Sequence, residues 1–500
     1  MILIILESSK KFYLSTNKAI LFLAGCNSIL LQYLLLKELP ASIFSTEITV
    51  LLALTSYFLG FSVGYFLVGK LSLNKIKLII ILLFPVHTFL IFIIRVLAFL
   101  FFQIREVWLF LSFFTSLFIF CSFYSIFLPL FLLKVKRKKI QGFVSTLYSL
   151  ELMGSIFGSL LILLSQFFFP YSIYFIYVLI FYSLMLFLLR NKVVFSFLAI
   201  TFITLVFIFP YLNKTTLELF YSKSYAEHLN LIDSIYSPYN RIDVLEDEKN
   251  HRYLSLDGIF YFGTKDLEDF NLYLAEIPLY VKKNVSDVLI VGGGTLSSAF
   301  HASKYASNIT VVELDPGVIL TASNHFKEFN HLDKIADKIN IVVDDGKHYL
   351  MNSNRKFDVI IVDVPYPWNI QTTLLYTIDF YGIVKTKLKE DGILVTHLSG
   401  SMYGNEINTK IPKRIAKSVS EVFPNYITYS FENLGYEIMI ASSDFKISRD
   451  MIYNTVNKLR IGRKTSTLEK EEIDKITNSS NPITLFNLDV VITESMLMIK

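Results

Sequence analysis

Residues 287–298 read DVLIVGGGTLSS, and this stretch decides the fold of the C-terminal half of the chain. The apolar run at 287–291 predicts a buried strand, and residues 297–306 have the pattern of a helix. Between them stand three consecutive glycines, Gly292, Gly293 and Gly294. Glycine lets a ligand approach the backbone closely at a helix N-terminus. The order of strand, glycine turn and helix is therefore typical of a nucleotide-binding sheet, although a tight turn without a ligand has the same pattern.

The alternation of strands and helices continues after this stretch. Strands are predicted at 309–314, 339–343 and 358–362, with a helix at 317–326. Such βαβ alternation predicts a doubly wound sheet of parallel strands. Ligands of these sheets bind at the carboxyl ends of the strands, so we look for candidate site residues there.

Acidic residues stand at the ends of three predicted strands. Glu313 ends the second strand about 20 residues after the glycines, where an acidic side chain accepts hydrogen bonds from ribose hydroxyls. Asp345, before Gly346, follows the third strand and either accepts from an adenine amino group or caps the next helix. Asp363 follows the fourth strand, beside the reacting end of such a ligand or as a structural cap. The three carboxylates together predict a nucleoside site.

A small β region precedes this sheet. Short β-like runs at 241–245, 253–256 and 259–262 are separated by turns, which predicts a small antiparallel sheet. The composition changes well before it, because long Phe, Leu and Ile tracts end at Leu212 and mixed charged and apolar segments begin at Asn213. We place the main domain boundary at that change.

The N-terminal region consists of apolar tracts, each about as long as a helix needs to be to cross a bilayer. Seven are counted, near 18–38, 47–69, 77–102, 107–133, 143–165, 169–189 and 193–211. Basic clusters lie at the N-terminus and in alternate loops, which predicts that this side faces the cytoplasm. Seven spans then place the C-terminal half outside, unless one tract is miscounted. A miscount can lie in the long third and fourth tracts, which carry Pro85 and Pro129, or in the closely spaced last three.

The composition narrows the class of protein. With 53% hydrophobic residues, the chain of 500 residues is too apolar for a wholly soluble protein. Much of the net charge of +5 lies in clusters between apolar tracts, so we expect no nucleic-acid partner. Both cysteines, Cys26 and Cys121, lie inside apolar tracts, so we expect neither a disulfide framework nor a metal site.

The order of these motifs resembles the spermidine synthase (polyamine aminopropyltransferase) family, in particular its membrane-anchored bacterial branch. The similarity covers roughly residues 237–400. Its pieces are SPYNRI at 237–242, LDG at 256–258, the three glycines, VELD at 312–315, DG at 345–346, DVIIVD at 358–363, LYTIDFY at 375–381 and DGILV at 391–395.

The resemblance implies an architecture. We expect a multi-pass α-helical membrane bundle at 1–212, a small antiparallel β subdomain at 213–265, and at 266–500 a Rossmann-like α/β domain of the S-adenosylmethionine methyltransferase type. It also implies a location in the cytoplasmic membrane, with the lipid bilayer and a small amine as partners. The sequence leaves a homo-oligomer open.

The resemblance also implies a reaction, the transfer of an aminopropyl group from decarboxylated S-adenosylmethionine to putrescine or another amine. No metal is expected. By the family pattern, Gly292, Gly293, Gly294 and Gly346 belong to the donor site. Glu313 binds the ribose, Asp345 binds the adenine, and Asp363 takes the catalytic acceptor role.

Three positions of the implied acceptor pocket depart from the family pattern. Thr295 stands where an aspartate usually follows the glycines, and Tyr366 replaces the second aspartate of the D-x-x-D-P loop. Tyr261 replaces a glutamine. A dicationic amine loses charge pairing by these changes, since a charge-assisted contact is worth about 1.5–3 kcal/mol. The pattern therefore indicates an altered acceptor.

Two other functions stay open at this stage. The loss of negative charge at Thr295 and Tyr366 also suits a methyltransferase that uses S-adenosylmethionine with its carboxylate. A non-catalytic nucleoside sensor, or a polyamine transporter that uses Glu151 within the bundle, is the third reading.

Overall fold

The computed structural model describes residues 2–43, 47–68, 70–101, 140–165, 171–189, 191–225, 227–264, 267–367, 369–432 and 435–491. The chain divides into two compact units, Met1–Phe44 with Ile48–Leu231 and Ser45–Glu47 with Ile232–Lys500. The predicted boundary at Leu212 lies inside a helix, Lys192–Tyr225. The predicted domain bounds stay predictions, but residues 213–225 are helical and belong to no sheet.

The first unit is helical. Its helices are Ile2–Glu38, Glu47–Val68, Leu73–Leu82, Phe84–Thr88, Leu90–Phe101, Ile140–Ser165, Ser172–Leu189 and Lys192–Tyr225. Among the described residues, five helices are long and apolar enough to cross a membrane, and one bent pair makes a sixth candidate. The predicted fourth tract, at 107–133, lies outside the described residues.

The predicted third tract is not one continuous helix. Segments Asn74–Thr88 and Leu90–Leu100 meet at 77°, just after Pro85. Pro85 itself lies in the first turn of the helix Phe84–Thr88, where its missing N–H is tolerated, and the break comes four residues later at Phe89. The hydroxyl of Tyr174 donates to the carbonyl oxygen of Thr88, which satisfies a backbone acceptor at the break.

Two of the ionisable residues of this unit form a buried pair. Arg95 Nη2 lies 2.7 Å from Glu38 Oε1, and both side chains have no exposed surface. Arg95 Nη1 also donates to Asn213 Oδ1 at 2.7 Å. The transport candidate Glu151 lies where two helices pack closely, because a Cβ on Gly25 would come within 1.9 Å of the carbonyl oxygen of Glu151. These contacts are those of a packed bundle core.

The second unit begins with a four-stranded sheet of order β1-β2-β3-β4. Its strands are β1 Asn230–Tyr236, β2 Arg241–Glu246, β3 Arg252–Leu256 and β4 Ile259–Gly263. The pairs β2–β3 and β3–β4 are antiparallel, as predicted, and β1 is an additional strand.

The larger sheet has eight strands in the order β12-β10-β11-β9-β8-β5-β6-β7. They are β5 Asp287–Gly292, β6 Asn308–Glu313, β7 Ile339–Val343, β8 Phe357–Asp363, β9 Leu388–His397, β10 Asn425–Phe431, β11 Ile438–Ser442 and β12 Thr465–Glu469. Strands β5 to β9 are parallel, whereas β11 and β12 each pair antiparallel with β10. The strands predicted from the βαβ alternation are parallel, and the C-terminal strands add an antiparallel edge that makes the sheet mixed. Only residues 432–437 join β10 to β11, too few for the crossover that parallel strands require.

Helical segments accompany this sheet. They are Leu267–Asn271, a π-helical turn Leu272–Glu276, Ile277–Lys282, Ser297–Ala302, Pro316–His325, Lys327–Asn330, Leu332–Ile335, Gly346–Asn352, Ile370–Thr373, a 3-10 turn Leu374–Tyr376, Ile378–Lys387, Glu406–Ser420, Arg449–Lys458 and Lys470–Thr477. Alternate residues of β5 join two different apolar clusters, Leu289 and Val291 in one, Val288 and Ile290 in the other. Both faces of the sheet are thus buried, which explains the unbroken apolar run of this strand.

Candidate functional site

Two cavities open at the carboxyl ends of the parallel strands. The larger cavity, of about 430 Å³, is lined by the ends of β5, β6 and β8 and by the turn after β7. The smaller cavity, of about 210 Å³, is lined by β4, the segment around Phe270, and the end of β9. Tyr261, Asp363 and Tyr366 line both, so the two cavities meet at the end of β8.

The glycine turn fits closely against the end of β8. Gly292 and Gly293 have φ angles of +81° and +66°, a region that favours glycine. Gly293 N–H donates to the carbonyl oxygen of Asp363 at 2.8 Å. A Cβ on Gly292 would lie 2.2 Å from that oxygen. The geometry therefore requires glycine at 292 and 293, and of the three glycines Gly292 is the one that lines the larger cavity.

Glu313 is the last residue of β6 and faces the glycine turn. Its Oε2 accepts from Gly294 N–H at 3.1 Å, and its Oε1 accepts from Asp315 N–H at 2.9 Å. A carboxylate oxygen holds about two lone-pair sites, so each oxygen can still accept one hydroxyl. Burial raises the pKa of Glu313 to about 7, against the lowering effect of these backbone bonds.

The neighbouring Asp315 has a structural role. Its Oδ1 accepts from Gly317 N–H at 2.8 Å and caps the helix Pro316–His325. Its Oδ2 accepts from Ser237 Oγ at 2.6 Å and from Asn240 Nδ2 at 3.0 Å. Of the two acidic residues in the VELD motif, Glu313 is thus the one placed for a ligand.

Asp345 and Gly346 line the larger cavity beyond β7. Asp345 Oδ1 accepts from His348 N–H at 2.8 Å, so the predicted cap is present. The cap occupies one of the roughly four acceptor sites of the carboxylate, so the others remain for a ligand. The same exposed side chain forms part of the cavity wall. A Cβ on Gly346 would lie 2.3 Å from Val291 Cγ1, so this position has no room for a side chain.

Asp363 is the last residue of β8 and is buried, with 5% of its surface exposed. The Ser298 hydroxyl hydrogen-bonds Asp363 Oδ2 and lies 2.6 Å from Asn271 Oδ1. Burial raises the pKa of Asp363 to about 6, and the Ser298 bond opposes this rise. The carboxylate is therefore ionised at neutral pH and close to the range in which it takes up a proton.

The three departures from the family pattern lie together on the smaller cavity. Tyr261 Oη donates to the carbonyl oxygen of Asp363 at 3.2 Å, Thr295 is buried, and Tyr366 forms part of the wall. None of these three side chains carries a charge at neutral pH. Burial and the nearby charge of Asp363 raise the pKa of the Tyr261 hydroxyl well above its ordinary value.

His397 was missed by the sequence reasoning. Because Val362 pairs with Thr396, His397 lies level with Asp363 at the end of the adjacent strand. Its Nδ1 accepts from Ser399 N–H at 3.3 Å, so its Nε2 carries the proton and donates to the carbonyl oxygen of Val364 at 2.8 Å. Burial lowers the pKa of His397 to about 4, which leaves the ring neutral. Strand β9 was not among the predicted strands. Had it been, His397 would have been recognised as a residue at the carboxyl end of a strand.

Other cavity residues carried no signal in the sequence. Ser298 reaches Asp363 from the helix after the glycines, and Asn271 lies beside it at the start of the π-helical turn. Phe270 and Tyr436 pack edge to face, with 5.0 Å between ring centroids, in the wall of the smaller cavity. These positions meet only through the folding of distant segments.

Comparisons with known proteins match the segment that carries most of the cavity residues. A family described as the spermine/spermidine synthase domain matches residues 270–450. That segment contains the glycine turn, Glu313, Asp345 and Asp363, and it begins after Tyr261.

Curated relatives match a similar segment. A polyamine aminopropyltransferase of Oceanobacillus iheyensis is 31% identical over 186 residues, 36% of this chain and 36% of that protein. A polyamine aminopropyltransferase of a Thermoanaerobacter species is 32% identical over 192 residues, 38% of this chain and 66% of that protein. The chain therefore spans less than two thirds of either relative. The crystal structure of spermidine synthase from Thermotoga maritima overlaps 50% of this chain and 89% of its own, with a TM-score of 0.41 and 24% identity.

Proposed function

We infer that the chain belongs to the spermidine synthase family, and from that premise we propose that it is a membrane-bound aminopropyltransferase-like enzyme. Its donor is decarboxylated S-adenosylmethionine, and its acceptor is an amine, either putrescine or one of altered chemistry. The observation that carries the proposal is the placement of Glu313, Asp345 and Asp363 on one cavity of about 430 Å³.

The larger cavity has the chemistry that a nucleoside donor requires. Each oxygen of Glu313 retains a lone-pair site, so the pair can accept from two adjacent ribose hydroxyls. Asp345, which follows β7 one strand further along the sheet than Glu313, accepts from the adenine amino group. Gly292 and Gly346, which have no room for side chains, keep the backbone close to the donor.

Transfer takes place at the end of β8. The neutral amine attacks the carbon next to the sulfonium, a nitrogen–carbon bond forms, and the carbon–sulfur bond breaks with its electron pair passing to sulfur. The products are a neutral thioether and a substituted ammonium that loses one proton. Asp363 hydrogen-bonds the attacking amine and accepts that proton, and Ser298 fixes the carboxylate.

The test is direct incubation. Full-length purified protein, labelled decarboxylated S-adenosylmethionine and a panel of amines should yield the labelled aminopropyl product and the thioether nucleoside. A homologous aminopropyltransferase that is active under the same conditions serves as the positive control. Absence of transfer to every amine, alongside an active control, would overturn the proposal.

A methyltransferase is the second candidate, because Thr295 and Tyr366 leave Asp363 as the one carboxylate among the described residues of the smaller cavity. Calorimetry with both donors separates the two functions. Aminopropyl transfer requires tighter binding of the decarboxylated donor, whereas methyl transfer requires tighter binding of the carboxylated one.

We also propose that the helical unit anchors the enzyme in the cytoplasmic membrane as a multi-pass bundle. Five described helices are long and apolar enough, and Arg95 is paired with Glu38 inside the unit. After alkaline carbonate extraction the full-length protein should remain in the membrane pellet. Release into the supernatant would contradict the anchor.

A further inference from the structure

The smaller cavity has a wall of aromatic rings. Six described aromatic residues line it, Phe260, Tyr261, Phe262, Phe270, Tyr366 and Tyr436, although the rings of Phe260 and Phe262 also pack against Tyr253 and Phe326. Its volume of about 210 Å³ exceeds the roughly 150 Å³ of an apolar cavity that holds benzene. The space is therefore sufficient for a phenyl ring or a short alkyl chain.

Among the described lining residues, one side chain carries the negative charge of this cavity. Asp363 is the one acidic side chain among the described residues that line it. His397 is neutral, since burial lowers its pKa to about 4 and its Nδ1 accepts a backbone N–H. The remaining polar side chains of the wall, Asn271 and Thr295, are uncharged.

A single carboxylate in an otherwise uncharged wall affects the two ends of an acceptor differently. The attacking nitrogen lies beside Asp363, which serves it as hydrogen-bond and proton acceptor. A second ammonium further along would be desolvated with no carboxylate to pair with. Ring faces attract a cation, but less strongly than a carboxylate does at a buried site. An apolar tail, by contrast, gains from burial against the same rings.

We propose that the acceptor is a primary monoamine with an apolar alkyl or aryl tail, in place of a diamine. The inference rests on the proposed aminopropyl transfer and names its second substrate. The amine nitrogen bonds to the propyl carbon, the carbon–sulfur pair leaves with the thioether, and the proton passes to Asp363. The tail occupies the space between Phe270, Tyr366 and Tyr436.

Matched amines test the inference with the full-length protein. n-Butylamine and 1,4-diaminobutane share four carbons and differ by the second ammonium, and 2-phenylethylamine adds a ring. We expect kcat/KM for both monoamines to exceed that of the diamine about tenfold or more. A diamine that reacts as well as n-butylamine, or better, overturns the inference and leaves aminopropyl transfer intact.

A charge-restoring pair of variants sharpens the test. Tyr366→Asp places a carboxylate in the wall, and Tyr366→Asn is its uncharged match of nearly equal size. We expect Tyr366→Asp to shift the preference toward the diamine about tenfold relative to Tyr366→Asn. An equal shift in both variants would show that charge does not govern the choice. Unchanged circular dichroism spectra and melting temperatures confirm that both variants fold.

A measurement of amine binding that needs no catalysis distinguishes a failure of this inference from a failure of the proposed function. Calorimetry on protein saturated with the product 5′-methylthioadenosine measures the affinity of each amine directly. We expect tighter binding of the monoamines, and tighter binding of 1,4-diaminobutane overturns the inference. Failure of transfer to every amine overturns the proposed function instead.

Discussion

The two cavities share Asp363 but differ in the chemistry of their other walls. The larger cavity presents Glu313 and Asp345, which the ends of neighbouring strands hold in place. The smaller cavity presents aromatic rings from β4, the segment around Phe270, and the loops after β8 and before β11. Carboxylates at strand ends are fixed by the sheet, whereas the rings come from segments that can vary independently. Donor and acceptor recognition can therefore diverge separately in one fold.

The largest effect is expected at the shared residue. Asp363→Asn keeps the size of the side chain and its bond with Ser298, but it removes the proton acceptor. We expect kcat/KM to fall by about 10²–10⁴-fold. Donor affinity, measured by calorimetry, should change by about threefold or less, because the donor contacts at Glu313 and Asp345 remain.

Asp358→Asn is the matched control for this variant. Asp358 lies at the opposite end of the same strand, where it pairs with Lys389 at 3.0 Å. The Asp358→Asn variant should lower the stability of the protein without a specific loss of kcat. Similar losses of kcat in both variants would contradict the assignment of Asp363.

The pH profile of the unaltered enzyme gives a second measure of the same carboxylate. Since the pKa of Asp363 is raised to about 6, the carboxylate is present above that pH and is lost as the pH falls through it. At saturating donor, so that protonation of Glu313 in the free enzyme does not contribute, we expect kcat to fall about tenfold per pH unit on the acid side. Ser298→Ala removes a bond that favours the charged form, so its acid limb should move to higher pH. A shift to lower pH would contradict this geometry.

A smaller effect, confined to the donor, is expected at Glu313. Glu313→Gln removes the charge that strengthens two ribose hydrogen bonds. We expect donor affinity to fall by about 10- to 150-fold, the equivalent of about 1.5–3 kcal/mol. Asp315→Asn is the control, because asparagine also caps helices and Asp315 bonds to Ser237 and Asn240. Equal losses in the two variants would show that Glu313 has no special place in donor binding.

The smallest effect is expected at Asp345. Asp345→Asn preserves the helix cap and removes only the charge offered to the adenine amino group. Because the side chain is exposed, we expect a fall in donor affinity of about two- to tenfold. The neighbouring Asp344→Asn, which loses a contact with His348, should leave donor affinity unchanged. A larger loss at Asp344 than at Asp345 would reverse the assignment.

Much of the larger cavity was predictable because parallel strands end at one edge. Glu313, Asp345 and Asp363 were assigned from their positions after apolar runs, and all three line one cavity. Asp315, only two residues from Glu313, could not be separated from it by pattern. Its role depends on Ser237 and Asn240, more than 70 residues earlier in the chain.

The fold was predictable where the forces are local. The strand at 287–291 and the next three strands appear within one or two residues of their predicted bounds. The bend after Pro85 was not predicted, and a backbone acceptor there is satisfied by Tyr174, which is 86 residues away. The antiparallel edge of the sheet depends on which strand β11 pairs with, and strand periodicity carries no information on that choice.

The sequence alone determined the class of the fold, the glycine turn and the three carboxylates at strand ends, because apolar periodicity and chain order suffice to place them. Only the tertiary structure decided that the glycines of 292–293 pack against the end of β8, that His397 lies level with Asp363, and that aromatic residues of distant segments line the smaller cavity. These facts depend on contacts between residues far apart in the chain. The physical reason is that the end of a strand depends on residues close by in the sequence. The wall of a cavity, by contrast, is formed by side chains of several segments that meet only after folding.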